Sequence, residues 1–415
     1  MSKFFNFINK NKFILFLYTC FLGLAICIAT LKFQCSPFWA NSSHSDVWVY
    51  SVTGNSWAHG IIPYKDIFEV KGPAFYFLWL VFSWINPWSM TAPYIALIVI
   101  YFLTCIVSFL LSKIWLSEKL SFMSTVIFLS ALYFFDSINE GNTASWTVEE
   151  ISVLPILYFI YLVCRELKFA EIEDKSVKAK YWIVNGLGFS FIAWSKYQIL
   201  GSYLGVFIAI LILCVLKKIT WQRFRKVVLL NIASFIVISG LIIAYFISVN
   251  GLNALVNCYF FNKTDRINSN VFPSEIYNAF EFIYRAFITS SPLYFAFTVV
   301  FILSLSVNKF ANNMYKDLKL IIILGFAFTI ICESLFIRWG QNRIIMFCFI
   351  IFGVIWLLKC LSNYAKMIIK TPFIVIICLA IFCQFSISFL HNITHYRTAF
   401  YKSSPMTQIN NSFVP

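Results

Sequence analysis

The most regular feature of the sequence is the recurrence of long apolar runs that contain few charged residues. A helix needs about 20 predominantly apolar residues to cross the hydrocarbon core of a bilayer. The pattern therefore predicts about eleven transmembrane helices. They lie near residues 13–33, 93–112, 120–135, 151–164, 181–195, 199–216, 227–249, 292–307, 320–337, 344–358 and 372–390.

One further apolar stretch, residues 74–88, is ambiguous because it is short, rich in tryptophan and bounded by Pro73 and Pro87. If it does not cross and the N-terminus is cytoplasmic, 21 of the 32 Lys and Arg residues fall in cytoplasmic segments. If it does cross, only 11 of the 32 do. Cytoplasmic loops of membrane proteins carry an excess of Lys and Arg. We therefore predict that this stretch lies in, or dips into, the outer membrane interface.

These assignments predict an all-α polytopic membrane protein that forms a single membrane-embedded domain over residues 1–415. The N-terminus is then cytoplasmic and the C-terminus lies outside. The predicted outer segments are a first loop with interfacial helices at 34–91, a second loop at 136–150, a loop at 250–290 and the tail at 391–415.

Composition excludes several classes of protein. Hydrophobic residues make up 60% of the chain, charged residues 12%, and the mean hydropathy is +0.81. A soluble globular protein has about 25% charged residues, so a soluble enzyme, a secreted disulfide scaffold and a disordered chain are excluded. The net charge of +15 is accounted for by positively charged cytoplasmic loops, so no nucleic-acid partner is expected.

The metal-binding and redox signals are weak. The twelve cysteines include no CxxC pair, and the four histidines show no ligand spacing, so we expect no metal. Cys35 and Cys258 are the two cysteines predicted on the outer side, and a disulfide between them is left open.

The first outer loop holds the densest group of polar residues. Asp46 follows the first span, and Lys65, Asp66, Glu69 and Lys71 come later in the loop. A lysine at the interface can pair with a lipid phosphate, and a carboxylate beside it can accept a proton from a hydroxyl. The alternative is simple anchoring of the loop at the interface by Trp, Tyr and Lys.

This loop resembles the first outer loop of the GT-C class of integral-membrane glycosyltransferases. That class has an acidic residue soon after the first helix, followed by a PYxDxxExKGP-like element ahead of an interfacial helix. The matching residues here are Asp46, Pro63, Tyr64, Asp66, Glu69, Lys71, Gly72 and Pro73. The second outer loop is similar through Asp136, Gly141, Asn142, Glu149 and Glu150. The alternative for the last two is a favourable interaction with a helix N-terminus.

Two later segments fit the same resemblance. Lys196 follows the fifth span, where similar enzymes often carry a lysine, and Arg338, Gln341 and Arg343 lie between the ninth and tenth spans. Arginines at such a turn suit the recognition of phosphate. Snorkelling of the lysine and an ordinary solvated turn are the alternatives.

The resemblance implies a glycosyltransferase of the cytoplasmic membrane with its active site on the outer face, similar to small bacterial and phage O-antigen glucosyltransferases. The donor would be a hexose, best assigned as glucose, on a polyprenyl phosphate such as undecaprenyl phosphate. The acceptor would be a lipid-linked or polymeric surface glycan such as the O-antigen of lipopolysaccharide. No cofactor is implied, and the absence of a DxD motif leaves a divalent metal unsupported.

The resemblance also distributes roles among the candidate residues. Asp46 is the expected base, with Asp136 as the alternative, while Glu149 and Glu150 orient substrates. The donor phosphate is assigned to Lys71, Lys196, Arg338 and Arg343, and substrate positioning to Tyr64, Asp66, Glu69, Asn142 and Gln341.

Two other functions stay open from the sequence. An O-antigen polymerase or ligase is also polytopic with outer loops, but releases a polyprenyl pyrophosphate. A lipid or solute transporter is expected to carry charges or broken helices at mid-membrane, whereas most charges here sit at the ends of the predicted spans.

Overall fold

The computed structural model describes residues 45–87, 89–134, 146–168, 177–261, 292–306, 318–336 and 344–364. Within these ranges the protein is helical and has no β-strand. The helices are α1 (Ser45–Ala58), α2 (Pro73–Ile85), α3 (Thr91–Ser112), α4 (Glu118–Phe134), α5 (Val148–Lys168), α6 (Ala179–Ala193), α7 (Gly201–Val215), α8 (Trp221–Ser248), α9 (Leu252–Leu255), α10 (Pro292–Ser306), α11 (Lys319–Phe336) and α12 (Phe347–Tyr364). A 3-10 turn at Tyr197–Leu200 precedes α7, and a π-helical turn at Val256–Phe261 follows α9.

Four helical segments of the described part are long and apolar enough to cross a membrane. They are Thr91–Ser112, Tyr197–Val215, Trp221–Ser248 and Ile344–Ser362. The chain is therefore an all-helical protein with the composition of a membrane protein, as its hydropathy predicts. The predicted spans at 13–33 and 372–390 lie outside the described residues, and the count of eleven stays a prediction.

The segment predicted as the first outer loop contains the two short helices α1 and α2, which pack along each other. Pro73 occupies the first turn of α2, where its missing N–H costs nothing. The 13 residues of α2 extend about 20 Å, whereas the hydrocarbon core is about 30 Å thick. At this length α2 is shorter than a straight span, and its place in the membrane interface stays a prediction.

Helix α5 lies in the middle of the packed helices, against α3, α6, α7 and α12. Most of its side chains are buried, including Val153, Ile156 and Phe159, whereas Tyr158 and Tyr161 are partly buried. Phe159 stacks on Tyr203 of α7 with 4.4 Å between ring centroids. Because α5 packs against four helices, it fixes the positions of the segments at its two ends.

One end of α5 lies among basic segments. Glu166 accepts a hydrogen bond from the backbone N–H of Val177 at 2.7 Å, and Lys226 donates to the Val177 carbonyl at 2.7 Å. Lys168 donates to the carbonyl of Ile114, between α3 and α4. We call this the basic end; it gathers residues 113–118, 165–168, 177–180 and 216–226, which the charge pattern had assigned to one side of the membrane.

The opposite end of α5 meets the loop between α1 and α2. Gly72 of that loop and Trp194, just after α6, make backbone contact here, beside Glu149 and Lys196. We call this the loop end. The 21 residues of α5 separate the two ends by about 30 Å, the thickness of a hydrocarbon core.

Candidate active site

The loop between α1 and α2 is held in a fixed shape by its own polar residues. Asp66 accepts the backbone N–H of Ile62 at 2.7 Å, and Tyr64 donates its hydroxyl to the Lys71 carbonyl at 2.5 Å. Tyr64 adopts a positive φ of 69°, a conformation that bulky residues adopt only where surrounding contacts impose it. Both side chains therefore shape the loop that carries Lys71.

Tyr64 and Glu69 anchor this loop to the helices on either side of it. Glu69 accepts hydrogen bonds from Tyr76 of α2 at 2.5 Å and from Thr53 of α1 at 3.3 Å. Burial, the neighbouring Tyr259 and the Glu69 carboxylate raise the pKa of the Tyr64 phenol well above its usual range. The phenol therefore stays protonated and remains a donor.

Gly72 brings the loop into direct contact with the end of α6. Its N–H donates to the Ser195 carbonyl at 2.8 Å, and the N–H of Ala74 donates to the Trp194 carbonyl at 3.1 Å. A Cβ on Gly72 would lie 1.8 Å from the Trp194 carbonyl oxygen, so no other residue allows this approach. The contact places Lys71 beside the segment that carries Lys196.

Lys196 forms an ion pair with Glu149, the second residue of α5. Both side chains are buried, at 7% and 5% relative exposure. Burial disfavours the charged form of Glu149, whereas the positive charges of Lys196 and Lys71 both favour it. Lys71, Lys196 and Glu149 thus meet at the loop end, where an ammonium group can form a charge-assisted hydrogen bond with an anion.

Glu150, next to Glu149, points into a separate group of contacts. Tyr101 of α3 donates its hydroxyl to Glu150, and the backbone N–H of Trp146 donates to the other carboxylate oxygen at 3.1 Å. The Trp146 ring donates to the Pro93 carbonyl at 2.7 Å. Glu150 thereby joins the start of α5 to the middle of α3, and Trp146 joins it to the start of α3.

The structure brings together three of the sequence-predicted site residues, Lys71, Glu149 and Lys196. It places Tyr64, Asp66, Glu69 and Glu150 in the contacts that support them. Asp46 occupies the second position of α1, four residues before Tyr50, and its side chain is not among the described ones. Five predicted site residues lie outside the described ranges: Asp136, Asn142, Arg338, Gln341 and Arg343.

Several residues at this site were not predicted from the sequence. Tyr76 and Tyr101 lie inside apolar helices, where nothing in the local sequence separates them from other buried aromatic residues. Ser195 and Gln198 lie close to Lys196 in the chain. Of these residues, they are the two that the local sequence could have indicated, because they are polar residues adjacent to an apolar span.

Metal and disulfide chemistry have no support in the described part of the chain. No group of three or more His, Cys, Asp or Glu side chains in these ranges could hold a metal ion. Cys258 carries a free thiol, and Cys35, its suggested partner, lies outside the described residues.

Comparison of the chain with protein-family models, with curated proteins and with solved structures finds no significant match.

Proposed function

We propose that this protein is a membrane-embedded glycosyltransferase that moves a hexose, best assigned as glucose, from a polyprenyl phosphate to a surface glycan. The supporting observation is the meeting of Lys71, Lys196 and Glu149 at the loop end, produced by the docking of Gly72 on Trp194 and Ser195. This convergence joins the loop that resembles the GT-C class to a second segment with the same resemblance, 125 positions further along the chain.

The lysines suit a lipid-linked phosphate. A phosphate that leaves a sugar gains negative charge, and a buried ammonium group beside it stabilises that charge more strongly than water does. In our proposal Lys71 binds the phosphate, and Glu149 holds Lys196 in place at the same site. Arg338 and Arg343 are proposed as further phosphate ligands.

The remaining step requires a base. The proposed base is Asp46, which accepts the proton of the acceptor hydroxyl as its oxygen bonds to the anomeric carbon. The bond between that carbon and the phosphate oxygen breaks, and the polyprenyl phosphate leaves with the electron pair. Asp136 is the alternative base, while Asn142 and Gln341 are proposed to position the substrates.

The proposed topology follows the sequence. Eleven spans, a cytoplasmic N-terminus and an outer C-terminus place the loop end on the outer face of the cytoplasmic membrane. Lipid-linked sugars are the donors available on that face, which supports a polyprenyl-phosphate donor over a nucleotide sugar.

A transfer assay with purified protein in lipid nanodiscs tests the proposal. The substrates are undecaprenyl-phosphate glucose and a lipopolysaccharide acceptor, and the products are glucosylated acceptor and undecaprenyl phosphate. Asp46→Asn should insert normally and lose at least about a hundredfold in transfer rate, the usual contribution of a general base. Lys65→Ala, an exposed lysine of the same loop, is the matched control and should keep its activity.

The products also separate the two other functions. Release of undecaprenyl pyrophosphate from a lipid-pyrophosphate glycan would instead indicate a polymerase or ligase. Movement of the lipid across the bilayer with no new glycosidic bond would indicate a transporter. Full transfer by the Asp46→Asn protein would exclude Asp46 as the base and leave Asp136 as the candidate.

A further inference from the structure

Buried polar atoms without a hydrogen-bond partner are rare in native proteins, and each of them requires an explanation. In the described part of the chain they belong to Asn55, Trp79, Trp182, Ser195, Gln198, Thr298 and Trp356. Two of them, the Ser195 hydroxyl and the Gln198 amide oxygen, lie within the short segment that carries Lys196.

Ser195 differs from the other buried serines of this structure. Ser83, Ser152 and Ser190 each donate to the carbonyl four residues earlier in their own helix. Ser195 follows the end of α6 and is completely buried, yet its hydroxyl makes no such bond. Its backbone carbonyl is occupied by the N–H of Gly72, so the residue takes part in the loop contact while its side chain stays unpaired.

Gln198 is also 96% buried, since its relative exposure is 4%. The unpaired atom is the amide oxygen, which accepts hydrogen bonds and cannot donate them. A buried acceptor without a hydrogen-bond partner is costly to the free protein, and this one lies two residues after Lys196 in the chain. Such a cost is typical of residues whose role is to bind a ligand.

We propose that Ser195 and Gln198 are sugar-recognition residues, which hydrogen-bond to hydroxyl groups of the hexose carried by the donor. This inference rests on the proposed glycosyltransferase function and assigns two residues that the resemblance did not. The amide oxygen of Gln198 accepts from an O–H donor and repels a phosphate oxygen. The Ser195 hydroxyl can donate or accept. The lysines therefore suit the phosphate of the donor, and Ser195 and Gln198 suit its sugar.

Two lipid probes test this division. Decaprenyl-phosphate glucose carries both the phosphate and the sugar, and decaprenyl phosphate carries the phosphate alone. Ser195→Ala and Gln198→Leu should each weaken binding of the sugar-bearing probe by about tenfold, the effect of a lost hydrogen bond to a buried group. Binding of decaprenyl phosphate should change by less than about twofold. Binding is measured in nanodiscs by competition with a fluorescent lipid phosphate.

The unfolding temperature provides a second measurement, because removing a side chain with a structural role would lower it. Removing an unpaired buried polar atom should leave the unfolding temperature of the ligand-free protein unchanged or raise it. Gln198→Asn, which keeps the amide but shortens it, is the second variant at this position and should also bind the sugar-bearing probe less tightly.

Two controls complete the experiment. Trp182→Phe removes an unpaired buried N–H from α6 and should bind both probes as the unmodified protein does. Lys71→Ala should weaken both probes, because both contain the phosphate. Unchanged binding of the sugar-bearing probe by Ser195→Ala and by both Gln198 variants, or an equal loss of binding for both probes, would overturn the inference while leaving the glycosyltransferase proposal intact. If the unmodified protein binds neither probe, the proposed function fails, and this inference fails with it.

Discussion

In the described part of the protein, the contact between two side chains that matters most for the candidate site is the ion pair between Lys196 and Glu149. Taking two charges out of water is expensive, and their attraction offsets that cost only while both partners are present. Removing one partner leaves an uncompensated charge in a low-dielectric site. The pair therefore fixes the geometry of the loop end more than it adds to the net stability of the fold.

Lys196→Ala should destabilise the protein by about 3–5 kcal/mol, because Glu149 is then a buried carboxylate without its partner. Combining Lys196→Ala with Glu149→Gln should restore part of that loss. The measurement is the unfolding temperature of the two single variants and the double variant in detergent micelles.

A second ion pair of the same protein supplies the control. Lys113 and Glu118 are 2.7 Å apart, with side chains 44% and 42% exposed, so Lys113→Ala should cost at most about 1 kcal/mol. Strictly additive effects of Lys196→Ala and Glu149→Gln would show that the two residues are not coupled.

At the scale of helices and loops, the loop end depends on a close backbone approach rather than on a large apolar contact. The N–H groups of Gly72 and Ala74 reach carbonyls beyond the end of α6. Because α2 begins at Pro73, this contact also sets where α2 lies relative to the spanning helices.

Gly72→Ala should separate the loop from α6 and reduce both stability and transfer activity. The new methyl group would overlap the Trp194 carbonyl, and backbone atoms cannot yield as a flexible side chain can. Activity should fall at least about tenfold, since displacing a bound group by 1 Å costs up to about a hundredfold.

Gly240→Ala is the matched control, because a Cβ at that position of α8 meets nothing within 4 Å. It should be neutral or stabilising by up to about 1 kcal/mol, as expected for Gly to Ala within a helix. Equal effects of the two substitutions would contradict the role of Gly72.

Much of the helical architecture could be predicted from hydropathy, because a span needs only a long apolar run. The predicted span at 93–112 corresponds to Thr91–Ser112, and the one at 227–249 to Trp221–Ser248. The pairing of Glu149 with Lys196 could not be predicted, since the two residues are 47 positions apart and nothing local links them. The support of Glu150 by Tyr101 depends in the same way on how α3 packs against α5.

At the scale of the whole molecule, the two ends of the helices differ in charge and in chemistry. The basic end gathers Lys and Arg side chains that bind backbone carbonyls and Glu166. The loop end gathers the candidate active site. A membrane protein with this asymmetry is expected to insert with the basic end in the cytoplasm.

Cysteine labelling tests that orientation. In a chain whose native cysteines are replaced, Lys65→Cys should react with a membrane-impermeant maleimide in intact cells. Lys217→Cys should react only after the membrane is permeabilised. Both positions are exposed, one at each end. Val237→Cys, on the exposed apolar side of α8, should stay unlabelled in both conditions, because a thiol in hydrocarbon does not ionise. The opposite labelling pattern would reverse the topology and contradict the proposed outer-face reaction.

The hydrogen bond between Gly72 and Ser195 also sets the order of events during biosynthesis. A ribosome adds about 5–20 residues per second, so roughly 6–25 seconds separate the synthesis of these two residues. During that interval α1 and α2 have left the ribosome, while the carbonyls that receive their loop do not yet exist. The candidate active site is therefore completed only after α6 has been made. A nascent chain arrested before residue 195 would present an unanchored first loop to the proteases that survey the membrane.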